Sequence, residues 1–239
     1  MAKLKIIKKF NSKRNRVYLI YDSEEMNCFV EKNFARQEDY MAERAVYERL
    51  AGRAEAMLVP KLLESFDSTY TSRYAYIEGI TVLEQLMRYE DAGDVNGASA
   101  MLVMLLEWLT AFYDAYDSTD EGGGMKMALV DLNLRNFIWT VDQRVVGIDF
   151  EAMDVESRMV SVIRILAMYR QCSPVDSTFK QNAVKTFLTE RRFEMLGELG
   201  SVTLTKGIFD VIYDSEVERI RQRRAIRVSG GEASNDISV

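Results

Sequence analysis

The sequence predicts an α+β chain in which an antiparallel sheet with one helix fills the first third and a mostly helical part follows. Three observations predict it. Residues 4–10, 16–22 and 26–34 are β-rich runs separated by polar turns. From residue 80 onward, apolar residues recur at three- and four-residue intervals in several stretches. Between those stretches, residues 130–151 hold a polar loop and two short apolar runs.

The elements follow in order. Residues 37–51 read as an amphipathic helix with Tyr40, Ala45, Val46 and Leu50 on its apolar side and Glu43 in its middle. A short helix is expected over 80–90, ended by Asp91-Ala92-Gly93-Asp94. A long helix over 96–117 carries a core stripe of Met101, Leu102, Leu105, Leu106, Leu109, Phe112 and Tyr113. The three glycines of Gly122-Gly123-Gly124 have no Lys-Ser/Thr pair or helix start after them, so they read as a connector. Residues 137–140 and 144–148 read as two strands around an Asp142-Gln143 turn. After Glu151 the chain is expected to return directly to helix through Val160, Ile163, Ile165, Leu166 and Met168. Further helices are expected over 175–189, 191–199 and 207–228, and Gly200 and Gly207 punctuate them. Residues 229–239 are small and polar without a period, the composition of a disordered tail.

Composition narrows the class. The chain has 239 residues, 48% hydrophobic and 28% charged, as in an ordinary globular protein. No apolar run reaches the roughly 18 residues of a membrane span. The N-terminus lacks the apolar core and cleavage site of a signal peptide, so cytoplasm is the expected compartment. Cys28 and Cys172 lie far apart without metal spacing and read as buried free thiols. A net charge of −6 argues against nucleic-acid binding, which rests on neutralising phosphates. Positive charge is nonetheless clustered at Lys3 to Arg16 and at Arg219 to Arg227. The basic tail leaves peripheral membrane contact open.

The chemistry concentrates in Val130-Asp131-Leu132-Asn133-Leu134-Arg135-Asn136 and Gly147-Ile148-Asp149-Phe150-Glu151. An Asp five residues before an Asn resembles the kinase catalytic loop, and an Asp-Phe pair after an apolar strand resembles the metal-binding element of the same fold. Asp149 follows nearly continuous apolar residues, where an unpaired carboxylate is costly to desolvate. Lys32 lies in the third β-run, and the helix with Glu43 follows it.

These residues together resemble the protein-kinase-like superfamily, nearest its small-molecule branch of aminoglycoside, choline and lipopolysaccharide-core kinases. The resemblance spans about Leu4 to Arg170. It makes residues 59–63 and 74–79 the fourth and fifth strands and the interlobe connection. It divides the chain into a nucleotide-binding lobe over 1–79 and a helical catalytic lobe over 80–228. It implies ATP and Mg2+ as cofactors. Lys32 would hold the phosphates with Glu43 as its ion-pair partner, although Glu38 and Glu48 are alternatives. Asp131 would be the catalytic base, Asn136 and Asp149 the magnesium ligands, and the backbone of Ala75, Tyr76, Ile77 and Glu78 the adenine seat. Arg135 would pair with a phosphate or anionic substrate, or with a carboxylate such as Glu151.

The chain departs from that pattern in two places. The first hairpin has no glycine, so Lys13 and Arg14 stand where backbone amides usually meet the phosphates. Leu129 takes the place of the usual histidine, and the chain has no histidine at all. No Ala-Pro-Glu segment follows Asp149, so the resemblance implies a hydroxyl of a small molecule or saccharide as acceptor, cationic or anionic. The alternative is a catalytically degenerate nucleotide-binding or scaffold protein.

Overall fold

A computed structural model describes residues 4–51, 58–117, 126–200 and 203–229. The glycine connector and the tail after Ser229 lie outside the described residues. The chain divides into two compact units. The first comprises Met1–Ile80, Trp108–Gly123 and Asn136–Met153; the second comprises Thr81–Glu107, Gly124–Arg135 and Asp154–Val239.

The first unit is built on a five-stranded antiparallel sheet. Its strands are β1 (Leu4–Phe10), β2 (Arg16–Asp22), β3 (Asn27–Asn33), β4 (Leu62–Phe66) and β5 (Thr71–Ala75), in the order β1-β2-β3-β5-β4. The fifth strand begins three residues earlier than its aromatic end suggests, because Thr71, Ser72 and Arg73 pair with Asn33, Lys32 and Glu31. Side chains alternate across a strand, so Val30 and Lys32 share one face with Leu19 and Tyr74, the cross-strand neighbours of Val30.

Helix α1 (Gln37–Leu50) packs on that face, with Tyr47 against Tyr74 at 5.1 Å between ring centroids. Its buried residues are Asp39, Tyr40, Glu43, Val46, Tyr47 and Leu50, a 3.6-residue stripe with Glu43 at its centre. Ala45, expected on the apolar side, is exposed. It lies about 200° around the helix from Glu43, so burying Glu43 turns Ala45 outward.

A three-stranded sheet, β6 (Gly79–Thr81), β8 (Phe137–Thr140) and β9 (Val145–Gly147), lies mainly in the same unit, which also takes in the end of the long helix from Trp108 onward. The β8–β9 hairpin pairs Phe137 with Gly147, and the amide of Ile148 extends the ladder to the carbonyl of Asn136 at 2.8 Å. Asn136 and Asp149 therefore enter and leave the same hairpin side by side.

The second unit is mainly helical: α2 (Val82–Ala92), the first part of α3 (Val95–Asp117), α4 (Arg158–Gln171), α5 (Thr178–Phe187), α6 (Glu190–Gly200) and α7 (Lys206–Ser229). A capping box between Thr81 and Glu84 starts α2, and Gly93 in the left-handed conformation ends it. Helix α4 is buried almost all round, as expected of a central helix. The segment after Glu151 does not return directly to helix. Strand β10 (Met153–Val155) first pairs with β7 (Met127–Leu129), and α4 starts only at Arg158.

Helix α3 is long and apolar enough to cross a membrane. Its predicted stripe from Met101 to Tyr113, however, is at most 2% exposed, so this apolar surface faces protein. Neither Cys28 nor Cys172 forms a disulfide, and both are only half-buried.

Gly147 shows how tightly the hairpin is held. A Cβ there would come within 2.3 Å of the Trp108 ring and 3.1 Å of Phe150. Trp108 cannot retreat easily, because its indole donates to the Leu58 carbonyl at 2.8 Å and stacks on Phe112. Gly147→Ala is expected to lower stability by about 1–3 kcal/mol, read from the urea midpoint.

Candidate active site

The site in the first unit is organised by one ammonium group. Lys32 is 6% exposed, on the helix-covered face of β3. Its Nζ lies 2.7 Å from Glu43 Oε2, 2.6 Å from Asp149 Oδ1 and 2.8 Å from Glu151 Oε1. The same Nζ stands 4.7 Å from the centroid of the Phe34 ring. Three carboxylates from a helix and a strand tip thus converge on one cation from a sheet.

Each partner is fixed by further bonds. Glu43 is 2% exposed; its Oε1 accepts the Tyr74 hydroxyl at 2.6 Å and its Oε2 accepts the Phe150 amide at 3.1 Å. That amide bond joins α1 directly to the segment carrying Asp149. Phe150 is 2% exposed and packs against Phe112 and Tyr47 at 5.4 and 5.9 Å between centroids. The buried ring anchors the chain while Asp149, one residue earlier, keeps 42% of its side chain exposed. Asp149 has φ 67°, the left-handed region that Asp adopts more readily than most residues. Glu151 also accepts the side-chain amide of Asn15, whose Oδ1 in turn accepts the Ala35 amide at 3.1 Å.

The electrostatics follow from burial and crowding. Burial by itself pushes the Lys32 pKa down, but Glu43, Asp149 and Glu151 outweigh it and hold the ammonium well above the ordinary lysine value. Burial raises the pKa of Glu151; Lys32 draws it down, Asp149 and Glu43 push it up, and it ends above the ordinary carboxylate value. Burial, then the neighbouring Glu43, raises the Tyr74 hydroxyl.

The structure brings Lys32, Glu43 and Asp149 together, with Asn136 beside Asp149 at the root of the hairpin. The other glutamates weighed as partners for Lys32 are engaged locally: Glu38 with Arg36 at 2.9 Å and Glu48 with Arg44 at 2.7 Å. Arg14 leans onto Asp39 of α1 at 3.6 Å, and Lys13 is exposed in the same loop. Ala75 ends β5, its amide bonded to the Lys61 carbonyl at 2.9 Å, and Tyr76, Ile77 and Glu78 follow it. Asp131 and Arg135 belong to the second unit, both exposed in the loop after β7, where the Arg135 amide bonds Asn133 Oδ1 at 3.0 Å.

Sequence reasoning missed Glu151 and Asn15 as members of the Lys32 cluster. Glu151 carried a usable signal, an acid two residues beyond Asp149 in a strand-tip segment. Asn15 carried none, because an Asn in a polar turn needs no explanation.

No protein-family model matches the chain, and no curated protein matches it. Among solved structures, the ethanolamine kinase of Plasmodium vivax matches with a TM-score of 0.55. The match covers 91% of this chain and 81% of that one, at 12% identity. The fold is protein-kinase-like. The likeness is one of fold, shared with a small-molecule kinase.

The cluster sets a stability test. Lys32→Met strands the buried Glu43 and Glu151 carboxylates beside the more exposed Asp149 and is expected to cost about 3–5 kcal/mol at pH 7.5. Without the cation, the folded state binds protons more tightly than the unfolded state does. Part of the loss should therefore return as the pH falls to about 5, seen as a rising urea midpoint relative to the parent. An equal deficit at both pH values would contradict the assignment.

Proposed function

We propose that the chain is an ATP-dependent phosphotransferase that moves the terminal phosphoryl group to a hydroxyl of a small molecule or saccharide. The observation that carries this reading is the buried Lys32–Glu43 pair joined to Asp149 in a protein-kinase-like fold. Such chemistry asks a protein chiefly for positioning and charge stabilisation. Lys32 and Glu43 are each held by several close contacts, and the Asp149 side chain is 42% exposed.

In this reading Lys32 binds nucleotide phosphates and Glu43 keeps its ammonium aimed. Lys13 and Arg14 lie over the phosphates in place of a glycine loop, and the backbone of Ala75 to Glu78 seats the adenine. Asp131 accepts the proton of the acceptor hydroxyl as its oxygen bonds to phosphorus and ADP departs. Arg135 steadies an anionic group near that base.

The donor set fits magnesium, which favours oxygen ligands. Glu43 and Glu151 are turned onto Lys32 at 2.7 and 2.8 Å and their side chains are 3% and 9% exposed, so the 42%-exposed Asp149 carboxylate is the acid of the cluster that is open to an ion. Asp149 and Asn136 would hold the ion, which when bound neutralises polyphosphate charge. The glycine-free first hairpin favours a second reading, a non-catalytic nucleotide-binding protein.

Two measurements separate these readings. The first is ATP consumption with magnesium and a panel of amino alcohols, aminoglycosides and simple sugars. The second is the thermal shift produced by ATP with and without magnesium. Asp131→Ala is expected to lower turnover by about 10²–10⁴ while leaving the magnesium–ATP shift intact. Asp149→Asn is expected to remove the magnesium-dependent part of the shift. A parent that binds magnesium–ATP and transfers to no acceptor favours the second reading; parental turnover in Asp131→Ala excludes that residue as the base.

A further inference from the structure

We propose that Arg158, Ser161 and Arg164 of α4 are positioning residues that fix the loop carrying Asp131, with Arg164 at the critical end. The proposal rests on the reading of Asp131 as the catalytic base, and every contact it uses lies inside the second unit.

Strand β7 leads into that loop, and among the described residues it pairs with β10 in a two-stranded sheet. The carbonyls of Met127 and Leu129, two residues apart, point to the same edge of the strand. Each receives a side-chain donor from α4. Arg158 Nε reaches the Met127 carbonyl at 3.0 Å, and Ser161 Oγ reaches that of Leu129 at 3.3 Å. The next carbonyl, that of Val130, receives Arg164 Nη1 at 3.5 Å. Val130 immediately precedes Asp131.

The geometry accounts for the spacing. From Arg158 to Arg164 a helix rises about 9 Å, and from Met127 to Val130 a strand advances about 10 Å. The two spans match overall, while the carbonyl steps are uneven, two residues along β7 and then one to Val130 just past its end.

The burial of these groups is the second argument. Ser161 is 0% exposed, Arg164 3% and Arg158 4%, on a helix otherwise lined by Val162, Ile163, Ile165 and Leu166. Polar groups so deep are costly unless paired. Arg164 is clamped by Glu156, at 2.7 Å to Nη1 and by a second contact to Nη2, and by Glu216 at 2.9 Å to Nε. Glu216 is itself held by Arg219 at 2.9 Å. The guanidinium is thus locked before it reaches Val130. Leu129, Leu132 and Leu134 are buried around the loop while Asp131 remains exposed. The buried donors set the backbone at the root of the loop, and the carboxylate is presented outward from it.

The test uses Ser161→Ala and Arg164→Lys in the full chain. Arg164→Lys keeps a cation between Glu156 and Glu216 but loses the fork that reaches Val130. Ser161→Ala removes one hydroxyl and serves if the other variant does not fold. Amide hydrogen exchange over residues 126–136 is followed by mass spectrometry, beside ATP consumption with the acceptor panel. Exchange in this segment is expected to rise about 10-fold or more, with other segments unchanged. Turnover is expected to fall about 10-fold or more, while the KM for magnesium–ATP stays within about two-fold. Unchanged local exchange and turnover in an active parent would overturn this proposal alone. A general rise in exchange with unchanged turnover per folded molecule would also overturn it, by showing a merely structural role. A parent without transfer activity would overturn the functional reading on which it rests.

Discussion

The first unit depends on one buried ammonium. Removing a lysine from water costs several kcal/mol unless carboxylates replace the lost solvation. Lys32 has three of them, one from α1 and two from the segment that follows the β8–β9 hairpin. Glu43 can reach it only if α1 lies on the β3 face with its 39–50 stripe inward. Asp149 and Glu151 can reach it only if the β8–β9 hairpin ends where Phe150 enters the aromatic stack. The sheet, the helix and the hairpin are therefore held to a common geometry by a demand that none of them meets alone. Carboxylates outnumber cations in the cluster, which leaves it suited to further positive charge.

The second unit repeats this logic with different chemistry. Arg164, 3% exposed, is more buried than Lys32 at 6%, and its carboxylate partners come from outside α4, at Glu156 and Glu216. An arginine offers five donors in a fixed fork, so it can satisfy two carboxylates and still touch a backbone carbonyl. A lysine suits the other site, where a compact point charge meets oxygens from several directions. The two cations stand at the structural roots of the two polar segments that the sequence singles out, 148–151 and 130–136.

Much of this was legible in the sequence because periodicity reports burial. Strands β1, β2 and β3, the long helix and the 137–147 hairpin fall close to where the patterns place them. The pattern failed where a charged residue takes a core position. Glu43 reads as polar yet holds a core position of α1, while Ala45, which reads as apolar, faces outward. Strand β10 is only three residues long and has no period to detect. The Lys32–Glu43–Asp149 grouping was legible through order along the chain, strand then helix then strand tip. Glu151 lies within reach of spacing, two residues beyond Asp149, whereas Asn15 joins the cluster through tertiary placement, which spacing does not encode. The polar side of α4 was hidden for the same reason: its arginines and serine look like a solvent face until the strand beside them is known.

The central claim is that Lys32 and its carboxylates act as one energetic unit. A double-mutant cycle between Lys32→Met and Glu43→Leu, measured by urea unfolding at neutral pH, tests it most directly. Each single change should be strongly destabilising, and the double variant should lose less than the sum by at least about 1.5 kcal/mol, because the second change removes a charge that the first left stranded. Additive losses would show that the two groups fold independently and would contradict the account.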